Sequence, residues 1–205
     1  MTDHMYRSRT SVPPLVQQAI GLAQRHGFEH SCIPEVGRLL GVLARHAHDG
    51  AVGEIGTGTG VGAAWMVTYI EPATRFVTIE ADAGRADVAQ SLFADRPNVR
   101  VIHGDWRVIV EHGPFDLLFV DAGDAKAGPG EPVAKAAAAA ETILRALRPG
   151  GMVVMDDLGP EEEWPEGMRG RPDPLREFWL NDPRLEATEV LTTPRTVAIL
   201  ATRVE

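Results

Sequence analysis

Apolar positions along this 205-residue chain follow two rhythms. After Pro13-Pro14, residues Leu15, Val16, Ala19, Ile20, Leu22 and Ala23 recur at helical spacing and stop near Gly27. Residues 31–45 repeat the pattern, with Val36, Leu39, Leu40, Val42 and Leu43 on one face. From there β-rich runs alternate with helical ones. Strands are predicted at Ala51–Ile55, Arg75–Glu80, Val99–His103, Phe115–Val120 and 152–155. Helices are predicted at 59–70, 82–94, from Asp105 for a short stretch, and at 132–147. The near-continuous apolar run at Phe115–Val120 is that of a strand covered on both faces. Such alternation predicts an α/β fold with a doubly wound, mostly parallel sheet. Pro149-Gly150-Gly151 turns the chain into the fifth strand.

Two features depart from the alternation. Residues 157–174 are rich in Pro, Gly and Glu and leave the carboxyl end of a central strand. A connection that long in a compact domain is expected to be a lid, a binding loop or disordered. After a helix at 175–180, runs at 185–191 and 196–202 close the chain, and the short link between them suits an antiparallel hairpin. Residues 1–10 read as a frayed start.

Composition narrows the function classes. Apolar content of 44% and charged content of 24% are those of an ordinary globular protein, and 205 residues suffice for one domain with a substantial core. A net charge of −9, with no Lys/Arg cluster to offset it, argues against binding a phosphate backbone. Cys32 is the single cysteine, so no intrachain disulfide can form and a reducing cytoplasm is expected. No apolar run reaches membrane-spanning length. His46, His48, His103 and His112 read as structural or solvated residues.

The chemistry centres on Val52-Gly-Glu-Ile-Gly-Thr-Gly-Thr-Gly-Val-Gly62. This stretch reads as a strand end, a glycine-rich turn and a helix start. Gly56, Gly58 and Gly60 permit close backbone approach to a ligand, and the helix aims free N–H groups at the same place. Two registers compete. Gly58-Thr-Gly60-Val-Gly-Ala63 fits the dinucleotide pattern GxGxxG/A, which leaves a nicotinamide cofactor open. The earlier register puts Glu54 at the strand tip before Gly56, Thr57, Gly58 and Gly60, where a buried carboxylate suits a cationic cofactor and repels a pyrophosphate.

In that earlier register the stretch resembles motif I of class I S-adenosylmethionine-dependent methyltransferases. More narrowly it is similar to the Glu-Ile-Gly-Thr-x-x-Gly-Tyr-Ser run of the catechol and caffeoyl-CoA O-methyltransferase family, with Val61-Gly62 in place of Tyr-Ser. The resemblance spans residues 31–157 and implies a Rossmann-like, seven-stranded sheet ending in an antiparallel hairpin. It further implies a single methyltransferase domain, with residues 1–48 as a helical cap and 49–205 as the core. In that family the leading helices cover the cofactor and help to form a homodimer.

Acidic residues end successive strands at Glu54, Glu80, Asp105, Asp121 and Asp156, and carboxyl ends of parallel strands face the ligand crevice. Each alone can merely cap the next helix. Glu80, 26 residues after Glu54, fits a carboxylate taking both ribose hydroxyls, a role acids also play toward NAD. Gly104-Asp105-Trp106 resembles the family's segment beside the adenine, although Trp106 fits a core position equally well. Asp121, in Phe-Val-Asp-Ala-Gly-Asp-Ala-Lys126, and Asp156-Asp157 sit where the family binds a divalent cation that holds a dihydroxy substrate. Three carboxylates make a hard oxygen site suited to Mg²⁺, Ca²⁺ or Mn²⁺. The alternative has Asp121 touching only cofactor or substrate and Asp157 capping the following loop.

Three departures stand out. The family lysine lies three residues after the aspartate, where this chain has Asp124, and Lys126 is two further on. Ala127-Gly-Pro129 replaces the expected aromatic, and Thr192-Thr-Pro-Arg195 replaces a Pro-x-Gly-Asp-Gly run. The expected activity is O-methylation of a small catechol-like or phenolic acceptor, with Asp121 at the reacting end. The loop's Trp164 and Met168 are candidates to fold over an apolar ring. Rival readings are an NAD(P)-dependent oxidoreductase, a non-catalytic cofactor-binding protein, and a tRNA methyltransferase of the same fold.

Overall fold

The computed structural model describes residues 11–128 and 130–205. The expected frayed start at residues 1–10 lies outside the described residues. The chain divides into two compact units, one ending at Trp106 and one beginning at Arg107.

In the first unit, helices α1 (Pro14–Arg25) and α2 (Pro34–Ala44) precede β1 (Ala51–Ile55), α3 (Val61–Tyr69), β2 (Arg75–Glu80), α4 (Ala83–Leu92) and β3 (Val99–His103). Pro14 and Pro34 occupy the first helical positions, where a missing N–H costs nothing. All three strands are parallel, with β2 between β1 and β3. Every residue of β1 is buried, as its apolar run requires of a strand covered on both faces. Its register sets Glu54 beside Thr78. Glycines on α2 let it lie close on α3. A Cβ on Gly37 would stand 2.3 Å from the Trp65 ring, and one on Gly41 would stand 2.6 Å from the Tyr69 ring.

The second unit holds β4 (Phe115–Val120), α5 (Val133–Ala146), β5 (Leu147–Leu158), α6 (Pro174–Asn181), β6 (Leu185–Thr193) and β7 (Thr196–Arg203). Here β4 and β5 run parallel, whereas β7 is antiparallel to both β5 and β6. The fifth strand is longer than the 152–155 expected. Phe115 pairs with Leu147 and Leu117 with Met152, so Arg148 to Gly151 swing out as a bulge and the pairing resumes beyond it. Gly150 takes φ +77° there. A Cβ on Gly151 would lie 2.5 Å from the Phe115 carbonyl oxygen.

The seven strands make the mostly parallel α/β sheet with a terminal antiparallel pair that the sequence predicts. Among the described residues, no helix is long and apolar enough to cross a membrane.

Candidate functional site

In the first unit, the turn after β1 is built by its own amides. Gly56 and Thr57 N–H both donate to the Ile79 carbonyl, at 2.9 and 3.2 Å, which fastens the turn to β2. Gly60 N–H donates to Thr57 O at 2.9 Å, and Ala64 N–H to Gly60 O at 2.9 Å, so the turn runs directly into α3. Gly56, Gly58 and Gly60 all have positive φ (91°, 55° and 94°), a conformation that side-chain-bearing residues adopt only under strain. The Thr59 hydroxyl is buried without a hydrogen-bond partner among the described residues. An orphaned buried hydroxyl of this kind calls for a ligand or solvent atom. Thr59 lines a cavity of about 420 Å³ together with Phe28, Asp82, Arg85 and Val88.

Two carboxylates flank this turn, and their states differ. Glu54 is 1% exposed, and its Oε2 accepts from the Thr78 hydroxyl at 2.6 Å. Thr78 has a single proton to give, so in its 2.5 Å contact with Thr57 the Thr57 hydroxyl is the donor. Glu54 is thereby oriented by two threonines in series. Glu80 is 5% exposed and more fully engaged. Its Oε2 accepts Gly58 N–H at 2.8 Å, while Oε1 accepts Asp82 N–H at 2.9 Å and Arg85 Nη2 and Nε at 2.8 and 3.0 Å. The Arg85 guanidinium also lies 5.5 Å from the centre of the Phe28 ring. Phe28 in turn fills the space over Gly58, where a Cβ would come within 2.6 Å of it. Gly58, Glu80, Arg85 and Phe28 thus close a ring of contacts. Asp82 caps α4 by accepting Arg85 N–H, and this bond holds its carboxyl below the ordinary value.

At the end of β3, Gly104 N–H donates to Glu80 O at 2.9 Å, and a Cβ on Gly104 would meet nothing within 4 Å. Asp105 is exposed and Trp106 is buried. Glu54, Glu80, the glycine turn and Gly104 therefore belong to one hydrogen-bonded region of the first unit. Asp105 stands at its solvent side.

The second unit gathers the other acids. Asp121 follows β4, while Asp156 and Asp157 lie near the end of β5. Their carboxylates each offer an oxygen, and these oxygens lie within 4.8 Å of one another. Lys126 stands among them. Its Nζ is 3.0 Å from Asp156 Oδ1, 3.6 Å from Asp121 Oδ1 and 4.0 Å from Asp157 Oδ2, and it also donates to the Asp156 carbonyl at 3.0 Å. Burial alone would push the lysine pKa down. Asp156 first, then Asp121 and Asp157, outweigh it and raise the value, so Lys126 remains an ammonium. Burial pushes Asp156 up, with Lys126 pulling against it.

The 157–174 connection is folded on itself. Trp164 is 8% exposed; its Nε1 donates to Gly159 O at 3.1 Å and the Arg176 guanidinium sits 5.3 Å from its ring centre. Arg169 donates to the carbonyls of Trp164 and Glu162. Trp164, a candidate to fold over an apolar ring, packs here against its own loop and Arg176 of α6. Phe28, Thr78 and Arg85 are not singled out by the sequence, and Thr59 stands out there only as part of the glycine-rich stretch. Only Arg85 has a visible signal: a cation in the first turn of the helix that follows the strand ending at Glu80.

A family described as "Methyltransferase domain" matches residues 54–158, which spans the glycine turn, Glu80 and all three aspartates of the cluster. Among curated proteins, one named a probable O-methyltransferase from Mycobacterium tuberculosis is 30% identical over 129 residues, covering 60% of this chain and 54% of its own length. The chain thus spans about half the length of the curated relatives it matches. Among solved structures, an O-methyltransferase from Bacillus cereus in complex with SAH superposes with TM-score 0.75 at 21% identity, covering 98% of this chain and 96% of that one. The O-methyltransferase TomG from Streptomyces achromogenes, solved with SAM, gives TM-score 0.72 at 21% identity over 100% and 96% of the two chains. These likenesses show a common fold. With its residues 54–158, just over half the chain, matched by the family model, the protein belongs to the methyltransferase-domain family.

Proposed function

We propose that this protein is an S-adenosylmethionine-dependent O-methyltransferase acting on a small hydroxylated acceptor of catechol-like or phenolic type. One observation carries the reading: a positive-φ glycine turn with the orphaned Thr59 hydroxyl, flanked by the buried carboxylates Glu54 and Glu80. That donor and acceptor set fits a ligand with a cationic amino end and vicinal hydroxyls. A pyrophosphate would meet two buried carboxylates, which disfavours the nicotinamide reading. The likeness to O-methyltransferases solved with SAH and SAM supports the same cofactor.

When bound, that cofactor supplies an electrophilic methyl group on a sulfonium sulfur. The chain's own residues bind and align. The backbone of Gly56, Thr57, Gly58 and Gly60 forms the cradle through close approach, its amides being spent on Ile79, Glu80 and Thr57. Glu54, held by Thr78, faces the positive amino end, and Glu80 takes the ribose hydroxyls. Gly104, Asp105 and Trp106 are assigned to the adenine. Asp121 is assigned to the reacting end, where its carboxylate orients the acceptor hydroxyl.

On this reading the chain works as one methyltransferase domain in the cytoplasm. Its leading helices are the candidate homodimer face, where Val42 on α2 is 61% exposed. A net charge of −9 favours a small acceptor over a nucleic acid. The test is a methyl-transfer screen with radiolabelled S-adenosylmethionine over catechols, flavonoids, polyketide-like phenols and total tRNA. Label entering a phenol is the expected result. Label entering tRNA alone would overturn the acceptor assignment.

A further inference from the structure

We infer that the Lys126 ammonium stands in for the divalent cation implied by the Asp121, Asp156 and Asp157 cluster, so that the cluster receives an acceptor oxygen without a metal. The inference rests on the methyltransferase reading for the word acceptor. Its claim about the ion stands on the second unit alone.

Three carboxylate oxygens within 4.8 Å of one another would suit a hard cation at about 2.0–2.6 Å from each. The structure places a different cation there. Lys126 Nζ lies 3.0, 3.6 and 4.0 Å from oxygens of the same three residues. Its side chain is 11% exposed, so it is not a surface lysine that swings freely into solvent. Two of its three N–H bonds are committed to Asp156, one to the carboxylate and one to the backbone carbonyl, both at 3.0 Å. Anchoring to the backbone as well as to the side chain fixes the ammonium at the cluster. A divalent ion sharing those oxygens would sit against a positive charge that is 11% exposed and anchored to the buried Asp156, with water reaching the cluster on the side of Asp157, 69% exposed.

The local chain explains how the lysine gets there. Lys126 is two residues further from Asp121 than in the resembled family. A 3₁₀ turn at Gly123–Ala125 absorbs the difference, with Ala125 N–H donating to Ala122 O at 3.0 Å and Lys126 N–H to Gly123 O at 3.1 Å. That turn carries the lysine back over Asp121.

The consequence is for the acceptor class. A chelated cation selects two adjacent hydroxyls, because both oxygens bind it. An ammonium with one N–H left to donate, among the described residues, holds a single oxygen, next to Asp121. Monohydroxy phenols therefore become acceptors on equal terms with catechols.

Mn²⁺ binding, followed by electron paramagnetic resonance on chelator-treated and dialysed protein, tests the inference without any methyl transfer. Wild type is expected to show no site tighter than about 1 mM. Lys126→Gln is expected to bind Mn²⁺ at least tenfold more tightly, and the charge-retaining Lys126→Arg to remain like wild type. Circular dichroism melts establish that both variants are folded. A wild-type Mn²⁺ site at micromolar concentration that disappears in Asp156→Asn would overturn the inference. So would a folded Lys126→Gln that binds Mn²⁺ no better than wild type. S-adenosylhomocysteine binding, measured separately, reports on the methyltransferase reading, so either idea can fail while the other stands.

Discussion

Arg85 sets two guanidinium nitrogens on a single oxygen of Glu80, at 2.8 and 3.0 Å, and so neutralises the carboxylate assigned to the ribose hydroxyls. Oxygen Oε2 of the same group is held by Gly58 N–H, which ties the acid to the glycine turn. The free protein thus keeps Glu80 paired and aimed before any ligand arrives. This is preorganisation, and it lowers the ordering needed on binding.

A first prediction separates the two residues. Glu80→Gln removes charge-assisted bonds worth about 1.5–3 kcal/mol and should weaken S-adenosylhomocysteine binding by about 10- to 100-fold. Arg85→Gln, which keeps the carboxylate but removes the pair that aims it, should weaken binding less, by about 3- to 10-fold. Calorimetry on both variants checks this. Equal losses in the two would mean that Arg85 itself holds the ligand.

Gly58 offers a stability test with a built-in rescue. Its φ is +55°, and a Cβ there would meet the Phe28 ring at 2.6 Å. Gly58→Val should cost about 2–4 kcal/mol from backbone strain plus overpacking. Adding Phe28→Ala should restore part of that loss by removing the clash, although the strain remains. Urea denaturation of the single and double variants reads the difference.

Helix packing predicts opposite outcomes for two glycine-to-alanine changes. On α2, Gly37→Ala drives a methyl into Trp65, which is fully buried, and should destabilise by about 1–3 kcal/mol. On α1, the Cβ of Gly21→Ala meets only the mobile end of Arg25 at 3.3 Å. That change should be neutral or stabilising by up to about 1 kcal/mol through helix propensity. Thermal melts of the pair check the contrast.

Stability should fall on acidification through the Arg184 cluster. Side-chain hydrogen bonds from Arg184 hold the carboxyls of Asp182 and Glu141 below their ordinary values of 3.8 and 4.5. A carboxyl depressed on folding adds stability above its unfolded pKa and loses it as pH drops through the folded one. The contribution is therefore present at neutral pH and disappears below about pH 4. Arg184 and Glu141 are well exposed, so less than about 1 kcal/mol is at stake. Arg184→Gln should flatten that part of the pH profile in urea titrations between about pH 6 and pH 3.

Much of the fold was legible because its strands are short apolar runs bounded by turn residues. Ala51–Ile55, Arg75–Glu80, Val99–His103 and Phe115–Val120 have the bounds that the sequence predicts. The fifth strand was read too short because the Arg148 to Gly151 bulge interrupts its pattern, and pairing on both sides of a bulge is not written in one strand alone. The turn, Glu54 and Glu80 were visible as residue types. That Thr78 orients Glu54 was not, since the pairing depends on the register between β1 and β2. Lys126 was visible only as a displaced residue. Its place among the aspartates follows from the 3₁₀ turn at Gly123–Ala125, which no periodicity announces. The packing of Trp164 is not legible either, because a loop's internal hydrogen bonds leave no pattern in the sequence.

On the proposed function, the glycine turn binds S-adenosylmethionine and not a dinucleotide. Isothermal calorimetry with S-adenosylhomocysteine and with NAD, on the same preparation, addresses it directly. Saturable binding of S-adenosylhomocysteine, weakened by Glu80→Gln and accompanied by no heat from NAD, is the predicted result. Saturable NAD binding with no response to S-adenosylhomocysteine would contradict it.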